Sequence, residues 1–198
     1  MLPIVSLSND NDNCDTDKLK NEFVGIVKSK GYVRQEIAFR LSSGGFSHDY
    51  VDMRKALSAG NDLKLAARYL LTTLEIEGID FDAVGGMTMG ADPIAHAVAI
   101  LSGKSWFSVR KQEKTHGTKQ RIEGASVDAN TKVLLVEDTV STGRSALEAL
   151  EVLRNEGAQI TALCVLLDRG VGMTEKMAEQ KIRYLSLLTY KDLEIDHL

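Results

Sequence analysis

Residues 133–145, VLLVEDTVSTGRS, combine apolar, acidic, hydroxyl and glycine residues at a spacing that suits one chemistry, the holding of a sugar phosphate. The apolar run Val133, Leu134, Leu135 and Val136 reads as a buried strand, and an amphipathic helix is expected from Gly143 to Asn155. Between them Thr139, Val140, Ser141, Thr142, Gly143, Arg144 and Ser145 form a short loop whose backbone amides would converge at a helix N-terminus. Such amides, with the helix dipole and the hydroxyls of Ser141, Thr142 and Ser145, make a pocket for a phosphate monoester. The neighbouring carboxylates Glu137 and Asp138 are costly beside a phosphate unless something offsets them. Vicinal hydroxyls of a ribose, assisted by a divalent cation, would do so, because carboxylates accept hydrogen bonds from diols and hard cations prefer oxygen. The segment therefore reads as a ribose-phosphate cradle. An ordinary strand–turn–helix with a solvated acidic pair and a Thr-Gly cap competes with that reading. Other phosphate loops fit badly: Val98 stands where a Walker A loop ending in Gly103-Lys104-Ser105 needs its first glycine, and no G-x-G-x-x-G occurs.

The elements that must carry the cradle follow from periodicity. Leu19, Phe23, Val24, Ile26 and Val27 predict a helix over residues 15–30, with Gly31 as its C-cap. Residues 32–57 mix β-branched and aromatic side chains around Ser42-Ser43-Gly44-Gly45, which predicts short strands or a hairpin, a small appended flap. Helices are expected from Asp62 to about Gly78, over residues 93–102 and over residues 174–180. Strands are expected at residues 83–86, 106–109, 133–136, 160–167 and 184–188, with a glycine- and charge-rich loop over residues 111–130. Strands alternating with helices imply an α/β fold, a central, mostly parallel sheet flanked by helices, with a small N-terminal hood. Ligands of such sheets collect at the carboxyl ends of the strands. One domain is expected over residues 1–198, with the N-terminal helix and hood to about residue 60 and the α/β core over about 61–198. No repeat or low-complexity linker divides it.

Composition narrows the classes. The chain has 198 residues, and a hydrophobic share of 43% suffices for one sizeable core. Its 24 Lys and Arg against 28 Asp and Glu leave a net charge of −4, which exerts no global pull toward nucleic acid or an anionic membrane. Any anion site must be local. Cys14 lies in a polar stretch and Cys164 in an apolar run, so they read as one exposed and one core thiol rather than a disulfide or a metal cluster. The N-terminal stretch MLPIVSLSNDNDNCD has no basic leader, and no stretch approaches the roughly 20 apolar residues of a membrane span. A cytoplasmic protein is expected.

Residues 133–145 resemble the motif that binds phosphoribosyl pyrophosphate (PRPP) in type I phosphoribosyltransferases, an apolar strand followed by two acidic residues and a Thr/Ser-Gly phosphate loop. Further stretches resemble the orotate phosphoribosyltransferases. The run Arg110-Lys111-Gln112-Glu113-Lys114-Thr115-His116-Gly117 is similar to that family's catalytic loop, and Ser47-His48-Asp49-Tyr50-Val51-Asp52 to the segment flanking orotate. Residues 85–93, GGMTMGADP, are similar to its pyrophosphate-side loop, and Leu167-Asp168-Arg169 to the stretch with its orotate-carboxylate arginine. Together they cover roughly residues 40–170. The resemblance implies transfer of the 5-phosphoribosyl group of PRPP to orotate in pyrimidine biosynthesis, with Mg²⁺ arriving on the pyrophosphate rather than in a protein cage. By the same similarity Glu137, Asp138, Thr139, Val140, Ser141, Thr142, Gly143, Arg144 and Ser145 would hold the ribose and 5-phosphate. Arg110, Lys111, Lys114 and His116 would bind pyrophosphate, and Ser141 and Arg169 would contact orotate. A homodimer is implied, with the catalytic loop reaching the neighbouring subunit. Two positions depart from the family pattern: Ser42-Ser43-Gly44 lacks a preceding Lys, and Met89 stands where many members have one.

Loss of pyrophosphate leaves oxocarbenium character on the ribose and negative charge on the leaving group, so cations and water exclusion are needed there. The loop over residues 111–124 offers Lys111, Lys114, His116, Lys119 and Arg121 as cations and Gly117 and Gly124 as hinges, and is expected to be a lid. Lys114, His116 and Asp138 are the catalytic candidates, the first two for stabilising and protonating the pyrophosphate. A solvated basic loop is the competing reading. Arg169 suits bidentate pairing with a carboxylate, against a surface ion pair with Asp168. His96, in a helix rich in Ala, Ile and Val, is expected to be structural. Two other functions stay open, a purine-type phosphoribosyltransferase and a non-catalytic PRPP-binding regulator.

Overall fold

The computed structural model describes residues 10–40, 46–112, 120–170 and 172–195; of residues 10–14 and 39–40 it describes the backbone alone. In chain order the elements are α1 (Asp10–Ile26), a π-helical turn (Val27–Gly31), β1 (Tyr32–Arg40), β2 (Phe46–Val51), α2 (Met53–Ala56), α3 (Gly60–Ile76), β3 (Ala83–Met87), α4 (Asp92–Ser102), β4 (Ser105–Val109), β5 (Ile122–Gly124), β6 (Lys132–Val140), α5 (Arg144–Asn155), β7 (Gln159–Asp168), α6 (Met173–Glu179) and β8 (Tyr184–Thr189). Six strands form one sheet in the order β5-β4-β3-β6-β7-β8. All neighbours in it are parallel except the edge pair β4–β5.

Alternation along the central strands explains why they read as unbroken apolar runs. Val133 and Leu135 of β6, with Leu163 and Val165 of β7, pack on the face covered by α5 and α6. Leu134 and Val136, with Ala162 and Cys164, join α1, α3 and α4 on the other face. Both faces are dry, so neither set of alternate positions tolerates polarity until the strands reach their carboxyl ends. The fold is the expected mostly parallel α/β sheet. The flap is an antiparallel β1–β2 pair whose register slips between Arg34 and Phe39; the Ser42–Gly45 turn lies outside the described residues. Cys164 is free and buried. No helix among the described residues is long and apolar enough to cross a membrane.

Several expectations are corrected. Helix α1 does not end on a glycine C-cap: the last turn widens into the π-helical Val27–Gly31, and Gly31 is buried against α2. Residues 53–56 are helical, because the Asp52 carboxylate accepts the Lys55 backbone N–H at 3.0 Å and caps a helical turn. The stretch from 111 to 130 contains β5. Strand β6 runs to Val140, so the acidic pair lies within the strand rather than beyond it.

Gly31 is needed for a close approach: a Cβ there would lie 2.8 Å from both the Ala56 Cβ and the Asp52 carbonyl oxygen. Gly31→Ala should therefore destabilise the protein by roughly 1–3 kcal/mol, the usual cost of overpacking, in urea unfolding. An unchanged midpoint would show that the flap can shift away without loss.

Candidate active site

Strand alternation places the two acids of β6 toward different clefts that meet at the sheet edge. Glu137 lines a cleft of about 330 Å³ with Thr139, Ser141, Thr142, Arg144 and Ser145. Asp138 lines another of about 250 Å³ with Met53, Arg54, Pro93 and Ile94. Both face a third, of about 270 Å³, together with Thr88, Gly90, Lys111 and Arg54. Glu137 is only 7% exposed. Burial pushes its carboxyl from 4.5 up to about 8, reinforced by the charge of Asp138 and a hydrogen bond with it, while Lys111 pulls the other way. Burial also raises Asp138, against the Thr139 backbone N–H, which donates to its Oδ1 at 2.7 Å, and the nearby Arg54 charge. The free site is thus short of partners for two negative charges, and a ligand bearing hydroxyls or cations supplies them.

The loop after β6 is held from below. Gly143, with φ at 75°, occupies the left-handed region as N-cap of α5, and Met173 of α6 leaves no room for a side chain there. Its carbonyl accepts the Leu147 N–H at 2.9 Å, starting the helix. Lys176 of α6 donates to the Thr142 carbonyl at 2.7 Å. Arg144 and Ser145 are exposed at the first turn, where amides and dipole favour an anion.

Arg169 follows β7 directly beside this loop. Its backbone N–H donates to the Val140 carbonyl at 3.0 Å, and its guanidinium donates to the Ser141 Oγ at 3.2 Å. The guanidinium also lies over the Tyr190 ring, 5.3 Å from its centroid. The alternative ion pair with Asp168 does not form: Asp168 is buried, and its two oxygens accept from the Gly170 N–H and the Tyr184 hydroxyl, both at 2.8 Å. Ser141 and Arg169, named as orotate contacts by resemblance, are therefore brought together with the guanidinium half-buried rather than neutralised.

On the far side of the acidic pair, Arg110 directly follows β4 and pairs with Glu123 of β5 at 2.7 Å, while Lys111 is exposed and lines the third cleft. Lys114, His116, Gly117 and Lys119 lie outside the described residues. Arg121 is corrected: its guanidinium donates to the Arg110 and Lys111 carbonyls and to Glu148, so it is not among the cations facing the cleft. Asp92, at the start of α4, accepts from Thr88 at 2.6 Å and Ser108 at 2.7 Å, fixing the loop that carries the cis Thr88–Met89 peptide. His96 stacks edge-on against Trp106 at 4.5 Å, a packing contact.

A mostly parallel sheet in this order, with a buried and a half-buried carboxylate ahead of a hydroxyl-rich loop at a helix start, is the architecture of a phosphoribosyl-transferring protein. The family model for the phosphoribosyl transferase domain matches residues 55–184. The orotate phosphoribosyltransferase of Methanosphaera stadtmanae is 37% identical over 175 residues, covering 88% of this chain and 96% of the relative. The crystal structure of the Mycobacterium tuberculosis H37Rv orotate phosphoribosyltransferase in complex with Fe(III) dicitrate matches with a TM-score of 0.78 at 35% identity, covering 89% of this chain and 99% of that one. The complex of the same Mycobacterium tuberculosis enzyme with PRPP matches with a TM-score of 0.74 at 34% identity, over 89% and 99%. The chain belongs to the orotate phosphoribosyltransferase family.

Three side chains that shape the site were missed in the sequence, Arg54, Lys176 and Tyr190, while Asp92 fell within the 85–93 stretch singled out by resemblance without a role of its own. Only Arg54 had a local signal, the Asp52 cap that places it on a helical turn.

The Glu137 shift gives a pH signature in the free protein. Its folded value lies above its unfolded one, so its stabilisation is full below pH 4.5 and is lost as pH rises through about 8. Wild-type melting temperature should fall relative to Glu137→Gln across that window, with the gap complete above it. Parallel melting curves from pH 5 to 9 would show that Glu137 ionises as an ordinary carboxyl.

Proposed function

We propose that the clefts around Glu137 and Asp138 carry out the family reaction: orotate displaces pyrophosphate from the anomeric carbon of PRPP, giving orotidine 5'-monophosphate, a step of pyrimidine biosynthesis. The observation that carries this reading is the juxtaposition of an acidic pair, Glu137 buried and Asp138 half-buried, a phosphate-suited helix start and the half-buried Arg169 guanidinium on one sheet edge.

In this reading the amides and hydroxyls of Ser141, Thr142, Gly143, Arg144 and Ser145 anchor the 5-phosphate, and Thr139 and Val140 shape the floor. Glu137 and Asp138 accept hydrogen bonds from the two ribose hydroxyls. Their negative charge also faces the cationic ribose as the bond to pyrophosphate breaks, which assigns Asp138 its catalytic part. Arg169 grips the carboxylate of orotate and Ser141 its ring edge. Arg110, Lys111, Lys114 and His116 neutralise the departing pyrophosphate, with Lys114 and His116 supplying a proton.

Mg²⁺ is the cofactor in this reading, because the acidic donors here are oxygen alone and suit a hard cation that keeps waters and shares phosphate oxygens. When bound it lowers the charge on the leaving group. A homodimer sharing the 111–120 segment between subunits is part of the proposal. It is supported by exposed apolar side chains on α4 and β4, where Ile100 is 79% exposed and Trp106 41%. The proposal includes a cytoplasmic location, which suits the free Cys164 thiol.

Mixing the protein with PRPP, Mg²⁺ and orotate should consume orotate absorbance. Arg169→Ala should raise the KM for orotate by roughly 10- to 100-fold, the range for losing a charge-assisted bidentate pair, with the KM for PRPP little changed. Silence with orotate and turnover of hypoxanthine or adenine would overturn the base assignment.

A further inference from the structure

Resting on the reading that the cleft takes PRPP, we propose that Arg121 is a positioning residue for the pyrophosphate half of that substrate, acting through the backbone of Arg110 and Lys111 and tying it to α5.

Arg121 turns its Nε and Nη2 donors onto the protein itself. Its Nε and Nη2 donate to the Arg110 carbonyl at 2.9 and 2.7 Å, and Nη2 also reaches the Lys111 carbonyl at 3.0 Å and Glu148 Oε1 at 2.5 Å. The Arg110 N–H returns a bond to the Arg121 carbonyl at 2.8 Å. The two ends of the 111–120 segment are therefore locked together, with the Arg121 side chain 24% exposed.

Two observations separate this arrangement from a generic cross-strand clamp. Lys111, whose carbonyl is held, is the cation that lines the central cleft with Glu137, Asp138 and Thr88, and its charge is felt by Glu137. Glu148, the anchor, lies four residues along α5 from Arg144 and three from Ser145, one turn from the phosphate-binding end of that helix. The fork thus bridges the backbone that aims Lys111 and the helix that holds the 5-phosphate. Pyrophosphate and 5-phosphate are the two ends of one PRPP molecule, and a fixed spacing between their binding groups favours binding both at once.

The geometry requires an arginine. A planar guanidinium can serve two carbonyls and a carboxylate together, whereas an ammonium is a point charge on a flexible stem and reproduces part of that set. Arg121 touches no substrate in this scheme. Its loss should change where Lys111 sits, and so the affinity for pyrophosphate, without touching the orotate side, where Arg169, Ser141 and Tyr190 lie on other elements.

The test uses the full-length enzyme in both directions, with KM values for PRPP, orotate, pyrophosphate and orotidine 5'-monophosphate, and with melting temperature recorded. Arg121→Ala should raise the KM for PRPP and pyrophosphate about tenfold, as expected for loss of roughly one strong hydrogen-bonded contact's worth of positioning, while the KM for orotate and orotidine 5'-monophosphate stays within about twofold. Arg121→Lys should show a smaller rise in the same two constants, and serves as the test should the alanine variant not fold. The inference is overturned by unchanged PRPP and pyrophosphate constants, or by a parallel change in all four constants, which would mark a purely structural clamp. A wild-type enzyme silent with orotate and PRPP would instead sink the reading of the cleft on which the inference rests.

Discussion

Glu137 and Asp138 are adjacent acids on a central strand, and the fold takes most of their surface away from water. Desolvation, mutual repulsion and the shortage of facing cations all disfavour ionising both, which is why the Glu137 carboxyl is raised to about 8. Nothing in the packing of β6 requires acids there, since positions 133–136 satisfy both faces with apolar side chains. The pair is a local cost that a ligand offering hydroxyls and cations relieves, and the surrounding elements make sense as ways of presenting it.

The sheet does this by geometry. Alternation sends Glu137 toward the start of α5 and Asp138 toward α2 and α4, so one strand end serves two clefts. Parallel pairing of β6 with β7 then sets Val140 opposite Asp168, and the next residue, Arg169, falls beside Ser141. Around that edge each loop is held by a contact from elsewhere in the chain: hydrogen bonds from Lys176 to Thr142, from Thr88 to Asp92 and from Arg121 to Lys111, and the Tyr190 ring under Arg169. Preorganisation of this kind leaves little rearrangement to the moment of reaction.

Much of this was legible in the residues, for reasons of locality. The apolar run, the acids, the hydroxyls and Gly143 of 133–145 sit within one strand–loop–helix unit, where short-range rules hold. The order of strands and helices was readable for the same reason. What was not readable depends on tertiary placement. Lys176 and Tyr190 come from α6 and from beyond β8, and nothing near them in the chain marks a site. Arg121 looked like one more loop cation because a basic residue in a glycine-containing loop carries no sign of where its donors go; only the pairing of the short β5 with β4 turns it onto the backbone. Gly31 had the right residue type for a helix cap, but close packing against α2 decided its role.

The central claim is that the acidic pair on β6 holds the ribose of PRPP. Calorimetric titration of PRPP with excess Mg²⁺ into wild type and Asp138→Asn, without orotate, tests it most directly. The variant keeps the size of the side chain but lacks the charge, and should bind PRPP at least about tenfold more weakly, the cost of one charge-assisted hydrogen bond. Equal affinities would contradict the account and move the ribose away from β6.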